Sequence, residues 1–353
     1  MWLYVACAVA VPVSLGLAAL RADPLLVFVA ACAAIVPLAG LMGRATEELA
    51  RHLGAHVGGL LNASFGNATE LIIAIFALRQ ELFGVVKATI TGSILGNLLF
   101  VFGIACIAGG WRRERQTFSP VAAGANAAML LVAVIALLVP SLFAYAAHPP
   151  VTSGPAIERL SLWVAVVLMA SYGLSLLFSL RTHRPAFAGP TEEGEPAWTR
   201  RFAAGVLLTA TVLVAVESEV LVKAVEPLLR GGRLSELFVG VIIIPVIGNA
   251  AEHAGAVLMA LRDKMDIAIG ISVGSSTQIA LFVAPALVFI AYAMGHPMTY
   301  IFAGSEVLAV TASVAIVNFI AQDGETNWFE GVQLLAAYAI IALAFLLLPG
   351  IPA

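Results

Sequence analysis

Eleven stretches of roughly twenty apolar residues follow one another along the chain, and short polar segments connect them. A helix needs about 20 apolar residues to cross the hydrocarbon core of a bilayer, so each stretch is long enough for one span. The stretches cover residues 2–21, 24–44, 57–79, 84–110, 119–140, 157–180, 202–222, 235–261, 265–294, 299–320 and 328–349. Charged residues make up only 11% of the sequence, whereas soluble domains average about 25%. The sequence therefore predicts an all-α integral membrane protein with about eleven transmembrane helices in a lipid bilayer.

The rest of the composition excludes several other classes of protein. A net charge of −3 gives no sign of a nucleic-acid partner. Cys7, Cys32 and Cys106 all fall within apolar runs, which favours small buried side chains over disulfides or metal ligands. The apolar run Met1–Leu20 lacks a basic n-region, so we expect it to remain as the first span. We predict no cofactor, and the sequence leaves the oligomeric state open.

The lysine and arginine residues between the predicted spans indicate the orientation of the chain. Eleven of them fall in the connectors on one side and seven in the connectors on the other. Since connectors rich in Lys and Arg stay in the cytoplasm, the N-terminus is predicted to be cytoplasmic and the C-terminus outside. The expected location is a prokaryotic cell membrane. Residues 181–201 then form a cytoplasmic linker with a short acidic cluster, Glu192, Glu193 and Glu195.

A five-residue motif occurs twice in the chain. Residues 66–70, Gly-Asn-Ala-Thr-Glu, recur as Gly-Asn-Ala-Ala-Glu at 248–252, an offset of 182 (248 minus 66). The same offset relates Gly58 to Gly240, Glu81 to Asp263, Gly92-Ser93 to Gly274-Ser275, and Phe100-Val101 to Phe282-Val283. A constant offset over so many positions indicates a gene duplication. The copies fall in the third and eighth predicted spans, and because five spans separate them they enter the membrane from opposite sides.

Inverted repeats of this kind are typical of secondary transporters, with the substrate near the middle of the bilayer where the repeats meet. The duplication divides the chain into four parts. The first span, residues 1–22, has no counterpart and stands outside the two five-helix repeats. Residues 23–180 form the first repeat, 181–201 the linker, and 202–353 the second repeat.

Each copy of the motif places a glutamate within a span. An ionised carboxylate at this depth is costly, so Glu70 and Glu252 are functional candidates by default. Asn67 and Asn249 stand three residues earlier and are predicted to share a helical face with them. Two carboxylates neutralise one divalent cation, and oxygen-rich sites suit hard cations such as Ca²⁺. Pro245 and the motif glycines would let the helices unwind and offer backbone carbonyls as further ligands.

Polar residues in other spans extend the candidate set. Ser275 and Gln278 are candidate metal ligands, and Ser93, Asn97, Glu219 and Glu306 are candidates for an ion or proton path. The last two are included because carboxylates within spans are unusual in lipid. His253 directly follows Glu252, so it points away from the face that carries Asn and Glu. Its role stays open between packing and metal ligation.

The paired carboxylates also predict how cation movement is coupled to protons. Without a cation, two carboxylates in a medium of low dielectric bind protons, because the charged form is disfavoured there. Either two protons or one Ca²⁺ can satisfy the pair, but hardly both together. Competition for the same pair is a minimal antiport mechanism with at least two protons per Ca²⁺, and alternating access would come from one repeat rocking against the other.

The motifs resemble those of the cation/proton exchanger (CAX) branch of the calcium/cation antiporter superfamily. The matching stretches are residues 58–76, 92–97, 244–253, 263–266, 274–278 and 322–331. The resemblance implies eleven spans with a five-plus-five core, and Ca²⁺/H⁺ exchange in which Glu70 and Glu252 bind Ca²⁺ or protons. By this resemblance, the supporting residues are Asn67, Asn249, Ser275 and Gln278. The central linker departs from the family pattern because only three acidic residues cluster there, and we expect no long N-terminal tail of the plant type.

Three other functions compete with this interpretation. Oxygen ligands tolerate several ions, so an exchanger for Na⁺, K⁺ or Mn²⁺ instead of Ca²⁺ is the first alternative. A cation channel is a second alternative, although channels need binding weak enough for rapid exit. An enzyme is disfavoured, since residues 252–253 form no His-Glu-x-x-His motif and a hydrolase has no need of a duplicated site.

Overall fold

The computed structural model describes residues 2–147, 151–183 and 196–347, and the acidic cluster at 192–195 lies outside them. Within these residues the chain forms twelve helices and two short strands. The helices of the first half are α1 (Trp2–Ala19), α2 (Pro24–Phe65), α3 (Ala68–Arg79), α4 (Phe83–Gly110), α5 (Pro120–Ala146) and α6 (Pro155–Thr182). Those of the second half are α7 (Arg200–Arg230), α8 (Glu236–Gly248), α9 (Ala250–Leu261), α10 (Met265–Ala293), α11 (Gly304–Ala321) and α12 (Trp328–Leu347). The strands are β1 (Gln116–Thr117) and β2 (Glu325–Thr326).

The helices have the length and exposure expected for a bilayer. Among the described residues, eight helices are long and apolar enough to cross a membrane, or nine if the bent pair α8 and α9 is one span. Large apolar side chains on their outer faces are exposed, as at Phe143 (76%) and Phe319 (75%). Soluble monomers rarely expose apolar surface so extensively. An integral membrane protein follows, although the predicted count of eleven spans is not confirmed as a number.

The difference in count arises at two places. The apolar part of α1, Leu3–Ala19, is shorter than a standard span. Helix α2 covers both the predicted second span and the start of the third, but it is not straight. A Cβ atom on Gly58 would lie 2.9 Å from the carbonyl oxygen of Ala50. Eight residues of a straight helix extend about 12 Å, so the chain folds back between these two residues.

Both copies of the motif coincide with a break in a helix. Helix α2 ends at Phe65 and α3 begins at Ala68, while α8 ends at Gly248 and α9 begins at Ala250 with a bend of 61°. The unwinding predicted from the motif glycines is therefore present in both halves.

The following helices also share an irregularity. Helix α4 contains a π-helical turn at Gly96–Val101, and α10 contains one at Ile279–Val283. Their last residues are 182 positions apart (283 minus 101), which is the offset of the motif. Turns of this kind are rare and occur mostly at functional sites. Two further π-helical turns, at Phe178–Thr182 in α6 and Val239–Ile243 in α8, do not correspond to each other by this offset.

The apolar side chains form two main clusters. The larger one contains residues of α3 to α12 together with the first turns of α2. The smaller one lies between α1, α2 and α7 and includes Val11, Leu38, Ala210 and Val214. Helices α2 and α7 are the first helices of the two predicted repeats, and they pack along each other. The protein thus has a separate three-helix layer, made of α1, α2 and α7, against the remaining helices.

Short extended segments outside the helices satisfy their backbone groups through the opposite half of the chain. Strands β1 and β2 pair in antiparallel fashion, with Gln116 opposite Thr326. After α10, the N–H groups of Tyr300 and Phe302 donate to the hydroxyls of Ser161 and Ser141, at 2.8 and 3.0 Å. Backbone groups that remain unpaired within a membrane cost several kcal/mol, by order of magnitude, so these bonds fix the two halves against each other.

Candidate ion-binding site

The two motif glutamates lie at the beginnings of the helices that follow the breaks. Glu70 is in the first turn of α3 and Glu252 in the first turn of α9. Asn67 and Asn249 directly precede these helices and occupy their N-cap positions, but neither side chain bonds to the N–H groups of its helix. The first N–H groups of a helix are unpaired and carry partial positive charge, which favours negative groups beside them. The breaks therefore suit both carboxylates.

Glu70 is almost completely enclosed. Its side chain is 2% exposed, and neither carboxyl oxygen has a hydrogen-bond partner. The carboxyl group contacts Gly248 of the other motif, where an added Cβ would lie 2.9 Å from Oε1. A buried carboxylate without partners is unstable as a permanent state of the protein. These oxygens are therefore available for a bound cation or for a proton.

Ser275 connects the second glutamate to the first motif. Its Oγ atom lies 2.8 Å from Oε2 of Glu252 and 2.8 Å from Oδ1 of Asn67. Asn97, in the π-helical turn of α4, donates to the same hydroxyl over 3.2 Å. One serine thus joins residues from both predicted repeats. Ser275, Asn67 and Asn97 are separate candidates along the sequence, and the structure brings them together with Glu252.

A chain of hydrogen bonds continues from Asn67 across the protein. The Asn67 amide donates to Oε1 of Gln278, and the Gln278 amide donates to the hydroxyl of Tyr172 over 3.0 Å. Tyr172 lies on α6 and is 8% exposed. Sequence reasoning missed it, because a single tyrosine in an apolar span is equally typical of packing. Its position between Ser171 and Gly173 carries no motif signal.

The asparagine of the second motif makes weaker hydrogen bonds to other helices than the asparagine of the first motif does. Asn249 donates to the carbonyl of Pro245 over 3.1 Å and to Ser93 over 3.5 Å, whereas its Oδ1 atom has no partner. The contact between Asn249 and Ser93 is the repeat equivalent of the contact between Asn67 and Ser275, but it is 0.7 Å longer (3.5 minus 2.8). The two halves of the site are therefore related without being identical.

The charges at the site favour a cation. Among the described residues, no ion pair involves Glu70 or Glu252, which argues against a structural salt bridge. Glu70 contacts Gly248, four residues before Glu252, so two ionised carboxylates in this site would repel each other. Unpartnered oxygens remain on Glu70 and Asn249. Carboxylate, amide and hydroxyl oxygens of this kind are the ligands that hard cations prefer. The described residues contain no group of three or more His, Cys, Asp or Glu, so amide and hydroxyl oxygens would have to complete the set.

Three further candidates do not join this set of contacts. His253 packs edge-on against Phe100, with 6.1 Å between ring centroids, and its Nε2 atom has no partner. Glu219 has 48% of its side chain exposed and pairs with Lys223 over 2.7 Å. Glu306 is buried at the start of α11, where it accepts hydrogen bonds from the N–H of Ala303 and from Thr91. Glu306 therefore caps its own helix.

Comparison with known proteins agrees with the fold and with the motifs. A family model described as sodium/calcium exchanger protein matches residues 24–181 and 202–347. The Ca²⁺/H⁺ antiporter of Synechocystis sp. is 48% identical over 92% of this chain and 91% of that protein. The Ca²⁺/H⁺ antiporter ChaA of Bacillus subtilis is 42% identical over 98% of this chain and 99% of that protein.

A solved structure, that of native YfkE, superposes with a TM-score of 0.85 at 39% identity. The superposition covers 98% of this chain and 100% of that one, so the whole arrangement of helices is shared. The family resemblance noted from the motifs is thereby confirmed. With a family model that matches both halves and relatives above 40% identity over almost the full length, this chain belongs to the sodium/calcium exchanger protein family.

Proposed function

We propose that the protein exchanges Ca²⁺ for H⁺ across a membrane, with Glu70 and Glu252 binding either one Ca²⁺ or protons. The observation that carries this proposal is that Glu70 is buried without hydrogen-bond partners. It is 2% exposed and both its oxygens lack partners, at a place where carboxylate, amide and hydroxyl oxygens of both halves converge. The names of the antiporter relatives from Synechocystis and Bacillus subtilis support the same exchange.

The contacts of Ser275 support proton binding when Ca²⁺ is absent. Its single hydroxyl hydrogen faces two oxygen acceptors at 2.8 Å, Oε2 of Glu252 and Oδ1 of Asn67. If the hydroxyl donates to Asn67, a proton on Glu252 satisfies the remaining contact. Rotation of the amides of Asn67 and Gln278 by about 180° would reverse the donors and suit an ionised Glu252. The same residues can therefore accommodate both states of the carboxyl group.

Transport then requires access to the site from either side in turn. We propose two inverted five-helix repeats, 23–180 and 202–353, that rock against each other around the site, with a cytoplasmic N-terminus and linker. The helix breaks at Asn67 and Asn249 support this arrangement, since broken helices line the sites of such transporters. The ligands named here are Glu70, Glu252, Asn67, Asn249, Ser275 and Gln278, with Ser93 and Asn97 beside them.

Exchange for another cation is the main alternative. The two carboxylates balance the charge of a divalent ion, which favours Ca²⁺ or Mn²⁺ over Na⁺ or K⁺. Proteoliposomes that contain a pH-sensitive dye, exposed to each cation in turn, would separate these possibilities. We expect proton release with Ca²⁺, and its absence would contradict the proposal. An ion current far above exchanger turnover would instead indicate a channel.

The role of the glutamates is tested in the same vesicles. We expect Glu70→Gln and Glu252→Gln each to abolish Ca²⁺-driven proton movement without unfolding the protein. Glu226→Gln is a matched control, because this glutamate pairs with Arg230 at the end of α7 and is not part of the site. Transport that survives in both site variants would exclude the proposed mechanism.

A further inference from the structure

A third buried carboxyl group lies within the helices, separate from the ion site. Glu217 on α7 is fully buried (0% exposed), and so is its hydrogen-bond partner Ser14 on α1. Oγ of Ser14 and Oε2 of Glu217 are 2.6 Å apart, and Oε1 of Glu217 has no partner. The duplication does not explain this glutamate, because the equivalent residue of the first repeat is Ile35 (217 minus 182).

The surroundings of Glu217 are apolar. The cluster between α1, α2 and α7 contains Val11 and Val214, each three residues before Ser14 or Glu217 on its own helix. On α7 and the helices packed against it, the titratable groups within the apolar segments are Cys7 on α1, Cys32 on α2, Glu70 and Arg79 on α3, and Glu219 and Lys223 on α7. Within the described residues, none of these six forms a hydrogen bond or ion pair with Glu217.

The remaining charged groups of α7 are at its two ends, and those of α2 lie from its middle onward. Those of α2 follow Gly43 and lie beside Trp198, which precedes α7, as the bond from the Trp198 N–H to Glu48 shows. Glu226 and Arg230 pair with each other at the other end of α7. Among the residues that the structure describes, no positive charge therefore balances a carboxylate at position 217.

An ionised Glu217 would be strongly unfavourable here. A buried charge needs a counter-ion or several hydrogen bonds, and this side chain has one serine and an unpartnered oxygen. A neutral carboxylic acid is less unfavourable at this contact, because it carries no charge and can either accept a hydrogen bond from the Ser14 hydroxyl at Oε2 or donate one to it. These contacts favour a protonated acid at the junction of α1 and α7.

We propose that Glu217 is a positioning residue that stays protonated throughout transport and fastens α1 to α7, so that α1, α2 and α7 move as one layer. Helix α1 has no counterpart in the repeats, and this bond gives it a defined place on the second repeat. The proton on Glu217 is not exchanged for the transported cation. Only the protons of Glu70 and Glu252 are, and the role of Glu217 does not depend on which cation is carried.

Proton release on Ca²⁺ binding to the purified full-length protein in weakly buffered detergent tests the retained proton. We expect Glu217→Gln to release as many protons per Ca²⁺ as the wild type, and Glu70→Gln to release fewer. Fewer protons from Glu217→Gln would overturn the proposal. If the wild type released no protons, Ca²⁺/H⁺ exchange would be contradicted. The protonation of Glu217 would then be decided by infrared spectroscopy alone.

Infrared spectroscopy detects the protonated group directly. In saturating Ca²⁺ we expect one carbonyl band of a protonated carboxyl to persist, to be absent in Glu217→Gln, and to shift in Ser14→Ala because its hydrogen bond is lost. In vesicles, Glu217→Gln should retain exchange at every pH, whereas Glu217→Ala should slow it several-fold. A spectrum without the persisting band, or a Glu217→Gln variant with an altered pH profile of exchange, would show that Glu217 ionises.

Discussion

The carboxyl group of Glu70 rests against Gly248, so the acidic residue of one motif contacts the glycine of the other. A Cβ atom at position 248 would lie 2.9 Å from Oε1 and 3.2 Å from the carboxyl carbon of Glu70. Glycine at this position therefore does more than permit a helix to end. It leaves space for the carboxylate of the opposite half.

We expect Gly248→Ala to weaken Ca²⁺ binding by about 10- to 100-fold, the range typical when groups that support a metal ligand are changed. The atoms that must move are the end of a flexible side chain, so Glu70 shifts and the protein remains folded. Isothermal titration with Ca²⁺ and a thermal unfolding curve measure the two effects. Gly270→Ala is the matched control, since no atom lies within 4 Å of the added methyl. Equal affinities in the two variants would contradict the contact.

A second glycine is expected to affect stability instead of binding. A Cβ atom on Gly92 would lie 2.6 Å from the backbone carbonyl carbon of Val241, at the close approach of α4 and α8. Small residues at such crossings let membrane helices pack closely. Because backbone cannot move as a side chain does, Gly92→Ala should cost about 3 kcal/mol, at the upper end for an overpacked site.

Thermal unfolding in detergent measures this cost for Gly92→Ala. Gly274→Ala is the informative comparison, because Gly274 is the repeat equivalent of Gly92 and nothing lies within 4 Å of its added Cβ. We expect only the Gly92 variant to unfold at a lower temperature. A similar loss in both variants would mean that helix propensity, rather than the approach of Val241, determines the cost.

The sequence was sufficient to predict the parts of the molecule that depend on patterns. Apolar runs predicted the membrane-spanning helices, and the repeated pentapeptide predicted the breaks at Asn67 and Asn249. The offset also indicated Ser275 as the equivalent of Ser93. The apolar runs and the motif both recur along the chain, so they can be recognised in one sequence without an alignment.

Contacts between distant helices could not be predicted in this way. Glu219 drew attention as a charge within an apolar span, whereas the structure exposes it beside Lys223 and buries Glu217 two residues earlier. On a helix, two residues correspond to about 200°, so neighbouring glutamates face opposite sides and only the packing of α1 distinguishes them. Tyr172 was missed for the same reason, because its role depends on Gln278, which is 106 residues away.

Tyr172 provides a test of the hydrogen-bond chain. When Glu252 is ionised, the most favourable direction for this series of hydrogen bonds has the Tyr172 hydroxyl donating to Gln278. The variant Tyr172→Phe removes that donor. The loss of one hydrogen bond, about 1 kcal/mol, should reduce Ca²⁺ affinity by about 5-fold at neutral pH. Tyr292→Phe is the control, since Tyr292 is 56% exposed at the end of α10. Unchanged affinity in Tyr172→Phe would separate this chain from ion binding.

The pH dependence of Ca²⁺ binding tests the pair of glutamates as a whole. If one Ca²⁺ replaces two protons, acid weakens binding and alkali strengthens it, until both carboxyl groups are ionised and the affinity levels off. In the acidic range the apparent Kd should rise by about 100-fold per pH unit, because it varies with the square of the proton concentration. In Glu70→Gln or Glu252→Gln, residual binding should change by about 10-fold per pH unit, since one proton is left to displace. Equilibrium dialysis with radioactive Ca²⁺ across a pH series measures these slopes. A slope of one proton in the wild type would mean that only one of the two glutamates exchanges its proton for the cation.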